Sequence, residues 1–229
     1  MRMLAVDTSE RTCSVAVVDS DHVLVELCAG LTSGSHARHL MPMVRTVLDM
    51  AELVVSDLDG FAVTCGPGSF TGVRIGMSCV KGMAEATGKP AVGVSSLEIL
   101  ARQCAVPGFL ICPMMDARRS EVYWTLYVGD GLVPLEEQHA DAPAAALALV
   151  DRPCLFVGSG ALAYRDLIMS HLGSMAIFAP AEQHAIRAAA AARCGLQRLA
   201  AGNNVVPMAP VYLRPSDAER NRRLQPGSD

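Results

Sequence analysis

The sequence predicts an α/β protein made of two similar lobes, each a mixed sheet covered by helices. Three observations carry that prediction. Short apolar runs alternate with amphipathic helical segments along the whole chain. The order three strands, helix, strand, glycine turn, helix, strand, helix occurs once in each half. Hydrophobic residues make up 51% of the 229 residues and charged ones 18%, which suits a globular chain with an adequate core.

In the first half, Leu4, Ala5 and Val6 form a short buried strand that ends at Asp7. A polar turn leads to a strand over 13–18, a second turn at Asp19-Ser20-Asp21, and a third strand over 23–27. The polar break at 32–35 precedes a helix whose apolar positions are Leu40, Val44, Val47, Leu48 and Ala51. A strand over 58–65 runs into Gly66-Pro67-Gly68-Ser69-Phe70-Thr71-Gly72, and a helix follows over 71–87 until Gly88-Lys89-Pro90 stops it. A short strand at 91–94 and a helix capped by Ser95 and Ser96, with Glu98 able to reach back, complete this half.

The second half repeats the order. A strand over 109–115 ends at Asp116, so Asp7 and Asp116 occupy equivalent corners. Strands over 121–128 and 132–136, a helix over 142–150 and a strand over 154–157 follow. Gly158-Ser159-Gly160 takes the place of the first glycine turn and opens a helix. A strand at 175–178 and an alanine-rich helix over 185–201 end the pattern. The lobes are therefore expected at 1–104 and 105–229, facing each other across a cleft. The last ~20 residues are expected either to pack back on the first lobe or to be disordered.

Charge and composition exclude several functions. A net charge of −4 rules out a broadly basic, nucleic-acid-coating surface, though not a local patch. The N-terminus meets Asp7 after a few apolar residues, so no export signal is expected, and no apolar run nears the ~20 residues of a membrane span. A cytoplasmic protein follows. The eight cysteines, at 13, 28, 65, 79, 104, 112, 154 and 194, include no C-x-x-C pair and read as small buried thiols.

The first glycine turn is the most informative segment. Strand, glycine turn, helix can aim backbone N–H groups at an anion, and it serves equally as a tight packing device. It matches neither a P-loop nor a dinucleotide fingerprint. Asp7 and Asp116 are placed to hold a metal–nucleotide complex or simply to cap turns. The candidate nucleotide residues are Asp7, Thr8, Ser9, Gly66, Gly68, Ser69 and Asp116. His36 and His39 have H-x-x-H spacing but lack a third ligand, so no metal site is expected, and His171 and His184 have no constellation. No G-x-S-x-G elbow supports a serine hydrolase. Arg118-Arg119 and Arg214, Arg220, Arg222 and Arg223 are basic clusters that read either as solvated surface or as contacts for RNA phosphate or an acidic partner.

Several of these segments together resemble the bacterial TsaB (YeaZ) family. They are Leu4-Ala5-Val6-Asp7-Thr8-Ser9, residues 36–42, the glycine turn through Gly76, Ser95-Ser96-Leu97-Glu98, the stretch from Asp116 to Trp124, and Pro210-Val211-Tyr212-Leu213-Arg214. The resemblance implies two ribonuclease-H-like lobes of the actin, hexokinase and Hsp70 (ASKHA) type. It implies a part in making N6-threonylcarbamoyladenosine at position 37 of tRNAs reading codons that begin with A. The transferase of that pathway, TsaD, carries metal-binding histidines in an H-x-x-x-H motif. This chain has none, so it resembles the partner subunit, with no catalytic residues of its own.

The implied contact, with TsaD as a heterodimer or with a second copy in isolation, lies on the helices of the first lobe. On the first helix it takes in His36, His39, Leu40, Met43 and Val47. On the second it takes in Phe70, Gly72, Val73, Arg74, Gly76 and Val80, the glycines serving close helix–helix approach. A TsaE-type ATPase joins the larger complex, and tRNA is met indirectly. No cofactor is required; ATP or ADP with magnesium is expected to bind weakly at most, at the cleft or the complex interface. A stand-alone ATPase or phosphotransferase is the alternative, and a peptidase of the M22 kind the least favoured.

Overall fold

The computed structural model describes residues 1–20, 22–31, 36–201 and 208–214. The sequence features at 32–35 and at Arg220, Arg222 and Arg223 lie outside them.

The first sheet contains β1 (Arg2–Asp7), β2 (Thr12–Asp19), β3 (His22–Gly30), β4 (Gly60–Thr64) and β5 (Ala91–Val94) in the order β3-β2-β1-β4-β5. The three leading strands are antiparallel, while β4 and β5 run parallel to β1. Helices α1 (His36–Met50), α2 (Phe70–Thr87) and α3 (Ser96–Gln103) fall between and after them. Strand β1 is buried on both faces, so it reads as an unbroken apolar run. Its period-2 alternation splits the run: Leu4 and Val6 pack with Leu40, Val44, Val73 and Met77 of α1 and α2. Met3 and Ala5 face the other way, toward the middle of the molecule.

The second sheet repeats the topology with β6 (Leu110–Arg118), β7 (Glu121–Trp124), β8 (Tyr127–Val128), β9 (Val133–Pro134), β10 (His139–Asp141), β11 (Cys154–Val157) and β12 (Ala176–Phe178). Its main order is β10-β7-β6-β11-β12. The sequence expects one strand over 121–128 and a partner over 132–136. The structure breaks the first at Thr125, whose hydroxyl donates to the Glu136 carbonyl (2.7 Å), and leaves β8 and β9 as a two-residue stub. The third main strand is instead β10, paired with β7. Pro134 explains the stub, because proline has no N–H to extend a ladder. Helices α4 (Pro143–Leu147), α5 (Ser159–Ala163) and α6 (Arg165–Leu172) cover the outer face with Phe156, Ile168 and Trp124 in its core.

Helix α7 (Ala188–Ala200) comes from the second half of the sequence yet lies on β1, β2 and β4. Small residues permit it: a Cβ on Gly195 would approach Met3 Sδ to 2.5 Å and Ala62 Cβ to 2.9 Å. Its first turn is tied down by the same sheet. The Ala188 N–H donates to Ser14 Oγ (3.0 Å) and the Ala189 N–H to Glu26 Oε1 (3.0 Å), which satisfies N–H groups a helix start leaves open. One core runs through the middle, joining Met3, Ala5, Leu97, Ile99, Ala188 and Ala191 to Ile111, Met115 and Val157 of the second sheet. The molecule is thus layered as α1/α2, first sheet, α3/α7, second sheet, α4–α6.

Candidate functional site

The corner after β1 and the glycine turn after β4 are locked into each other. Asp7 Oδ1 accepts hydrogen bonds from the Thr64 hydroxyl (2.6 Å), the Ser9 hydroxyl (2.7 Å) and the Ser9 N–H (3.1 Å). Oδ2 is buried and has no hydrogen-bond partner among the described residues. Burial holds the Asp7 carboxyl above its ordinary range, opposed by those three hydrogen bonds. The Ser69 N–H, at the mouth of α2 where the sequence allows an anion, donates to the Ser9 carbonyl (2.7 Å). Ser69 Oγ caps the helix by accepting from Gly72 N–H (3.2 Å). Gly66, at φ +99°, has the Val211 carbonyl oxygen 2.7 Å from where a Cβ would sit. A Cβ on Gly68 would lie 2.4 Å from the Ser9 carbonyl oxygen.

Thr8 and Ser9 are fully buried with Asp7. The corner is closed over by α2 and is not open to the space between the lobes. Asp116 does reach the surface, its Oδ1 accepting from the Arg118 N–H (2.8 Å) at the tip of the β6–β7 hairpin. Between the lobes beside it lies a residue the sequence reading misses, Glu10. The Ser159 hydroxyl donates to Glu10 across the lobes, and the Asp116 N–H donates to Ser159 Oγ (3.0 Å). Burial first, then the charges of Asp7 and Asp116, push Glu10 up to about 7. The signal was out of reach in sequence, since Glu10 and Ser159 stand 149 residues apart.

Of the candidate nucleotide residues, Asp7, Thr8 and Ser9 are buried and the Ser69 N–H is engaged by the Ser9 carbonyl, while Ser69 and Asp116 are exposed. Among the described residues, no three His, Cys, Asp or Glu side chains are grouped to hold a metal ion. His36 lies buried with Nε2 donating to the Thr12 carbonyl (3.2 Å). His184 clamps the second glycine turn: Nδ1 accepts from the Gly158 N–H (3.1 Å) and Nε2 donates to the Ala179 carbonyl (2.9 Å).

An open groove lies on the far side of the first sheet. Between α1 and α2 runs a groove of about 540 Å³ lined by Met41, Phe70, Arg74, Ile75, Ser78 and Cys79, among others. Met41 is 52% exposed, a large apolar side chain on the solvent face of its helix, and the Cys79 thiol donates to its sulfur (3.3 Å).

Comparison with known proteins places this geometry. The model of the family described as "TsaD: tRNA N6-adenosine threonylcarbamoyltransferase" matches residues 30–221. The Bacillus subtilis (strain 168) tRNA threonylcarbamoyladenosine biosynthesis protein TsaB is 35% identical, over 96% of this chain and 96% of its own. The chain belongs to the TsaB (YeaZ) family. The solved structure of YeaZ from Pseudomonas aeruginosa superposes with a TM-score of 0.77 at 29% identity, over 93% of this TsaB-family chain and 99% of that one. A ROK hexokinase from Thermus thermophilus, 13% identical with a TM-score of 0.52 over 86% of this chain and 99% of its own, shows the shared ASKHA fold.

The contact residues expected from the TsaB resemblance divide in two. His39 and Met43 are half-buried on α1, Phe70 is half-buried and Arg74 exposed on α2. Leu40, Val47, Val73 and Val80 are instead buried in the lobe's own core, and His36 lies under the β2 strand end. Gly72 and Gly76 are corrected most sharply. Their missing side chains admit Thr8, not a partner helix: a Cβ would lie 2.0 Å from the Thr8 carbonyl oxygen at Gly72 and 2.5 Å from Thr8 Oγ1 at Gly76. The apolar residues that do line the groove between the two helices include Met41, Ile75 and Cys79, which the reading passed over. Apolar residues on the solvent side of an amphipathic helix were the available signal.

Proposed function

We propose that the protein serves threonylcarbamoyladenosine biosynthesis on tRNA as a non-catalytic subunit, docking through the α1/α2 face onto a TsaD-type transferase. The observation that carries this reading is the apolar groove between those helices, open to solvent and centred on Met41, Ile75 and Cys79. Helix pairs that expose such a groove are suited to receive helices of a partner. The burial of the interlocked corner at Asp7 supports a subunit without nucleotide turnover of its own. In isolation the same groove would pair two copies, so homodimer and heterodimer compete for one surface. A TsaE-type ATPase then joins the larger assembly, tRNA is met through the partner, and the setting is the cytoplasm; no helix among the described residues is long and apolar enough to cross a membrane.

The test uses the TsaD-type protein of the same organism. Wild type should co-elute with it and restore threonylcarbamoyladenosine, measured by mass spectrometry of tRNA, in cells lacking their own subunit. Met41→Asp and Ile75→Asp should lose both while remaining folded by circular dichroism. Unchanged association in both variants would sink the reading. Calorimetry with Mg-ATP on the isolated chain separates the ATPase alternative, which demands tight binding and turnover.

A further inference from the structure

The C-terminal segment 208–214 returns across the first lobe and seats on the glycine turn. The Val211 N–H donates to the Cys65 carbonyl (2.7 Å), and the Val211 carbonyl fills the space that Gly66 leaves. Met208 packs at the edge of the α1/α2 core. At the other end, Arg214 donates from Nη1 to Glu121 Oε2 (2.6 Å), which anchors the segment to the second sheet. Between these anchors, Tyr212 stacks on Phe70 with ring centroids 4.9 Å apart and 27° between planes. Its hydroxyl accepts from Arg74 Nε (2.8 Å), and the Arg74 guanidinium lies 3.8 Å over the Phe70 ring.

Phe70 and Arg74 therefore belong to two groups at once. They line the α1/α2 groove, and they are held in place by Tyr212. A half-exposed phenylalanine in the first turn of a helix and a long arginine beside it would otherwise sample several rotamers, and a partner would have to freeze them on binding. Stacking and the cation–π contact order them beforehand.

We propose that Tyr212 is a positioning residue of the docking face: the seated C-terminal segment fixes Phe70 and Arg74 in the geometry that the partner meets. Docking is then conditional on the segment being seated, and a signal that lifts it would release the partner. The inference rests on the docking reading above and adds to it a control element outside the two helices.

Four variants separate the possibilities, each measured for affinity to the TsaD-type protein and for thermal unfolding. Met41→Asp removes the groove itself and should abolish binding. Tyr212→Ala should weaken binding by about tenfold with little change in melting temperature, since the ring is 41% exposed. Tyr212→Phe keeps the stack and should bind within about threefold of wild type. Arg214→Met leaves the face intact but frees the anchor on Glu121, and it too should weaken binding. Wild-type affinity in Tyr212→Ala, with Met41→Asp inactive, would overturn the positioning role and leave the docking reading standing. Weak binding by Tyr212→Ala with a wild-type Arg214→Met would make Tyr212 a direct contact only and overturn the dependence on a seated segment. Wild-type binding by Met41→Asp would remove the docking reading and this inference with it.

Discussion

Thr8 and Gly72 leave no room for a side chain between them. The Thr8 hydroxyl donates to the Gly72 carbonyl (2.7 Å), and a Cβ on Gly72 would stand 2.0 Å from the Thr8 carbonyl oxygen. The corner after β1 and the first turn of α2 are thus one structural unit, and the glycine is there for the fold.

The first prediction follows from that contact. Gly72→Ala should destabilise the monomer by about 3 kcal/mol, because neither backbone can yield without breaking the Thr8 hydrogen bond. Gly82, on the same helix, has nothing within 4 Å of its Cβ position. Gly82→Ala should therefore stabilise by about 0.5–1 kcal/mol. Urea denaturation of the two variants checks the contrast; equal effects would remove the close approach as the reason for Gly72.

Glu10 should make stability fall as pH rises. Its carboxyl is raised in the folded protein from an ordinary 4.5 to about 7, so between those values the folded chain holds a proton that the unfolded chain has lost. The stabilising proton is fully present below the unfolded value and lost as pH climbs through the folded one. Each pKa unit is worth about 1.4 kcal/mol, and the partial exposure of Glu10 reduces the total to on the order of 2 kcal/mol. Glu10→Gln keeps an acceptor for Ser159 and should flatten the profile between about pH 5 and pH 8. An unchanged slope in that variant would assign the pH dependence elsewhere.

Asp7 pushes in the same direction through a different contact. Asp7→Asn retains the oxygen that receives Thr64 and Ser9 while removing a buried charge. Stability near neutral pH should hold or rise, and the pH midpoint attributed to Glu10 should move down, because Asp7 is one of the charges that raise it. Asp7→Ala strands the Thr64 and Ser9 donors and should cost about 2 kcal/mol. Equilibrium unfolding across a pH series reads both.

The seam between β3 and α7 rests on Glu26. Its Oε2 accepts from Arg187 Nε (3.1 Å) and Nη2 (2.6 Å), and its Oε1 accepts from the Ala189 N–H. The glutamate side chain is only 11% exposed, so removing its partner leaves a poorly solvated carboxylate. Arg187→Ala should cost about 2 kcal/mol, and Glu26→Gln less, because the amide oxygen still caps the helix. Hydrogen exchange at the first turn of α7 should rise in Arg187→Ala before global unfolding does.

Much of the architecture is legible residue by residue. The split of β1 into Leu4 and Val6 on one face and Met3 and Ala5 on the other is the period-2 rule applied to a short apolar run. Ser95 caps α3 as its position predicts, and Ser69, read in the sequence as a candidate nucleotide residue, caps α2. The third strand of the second sheet was misplaced because Pro134 sits in an apolar run that resembles a strand while denying it a ladder.

The sequence by itself determined most of the elements, their duplicated order and the family, since caps, turns and alternation depend on residues a few positions apart. Only the tertiary structure decided which face of each helix is free. Gly72 and Gly76 look the same on a helical wheel whether a partner helix or Thr8 fills the space beside them. Glu10 finds Ser159 at a separation of 149 residues and Arg74 finds Tyr212 at 138. No local pattern encodes such pairs, because they arise when close-packed layers bring distant segments within van der Waals reach.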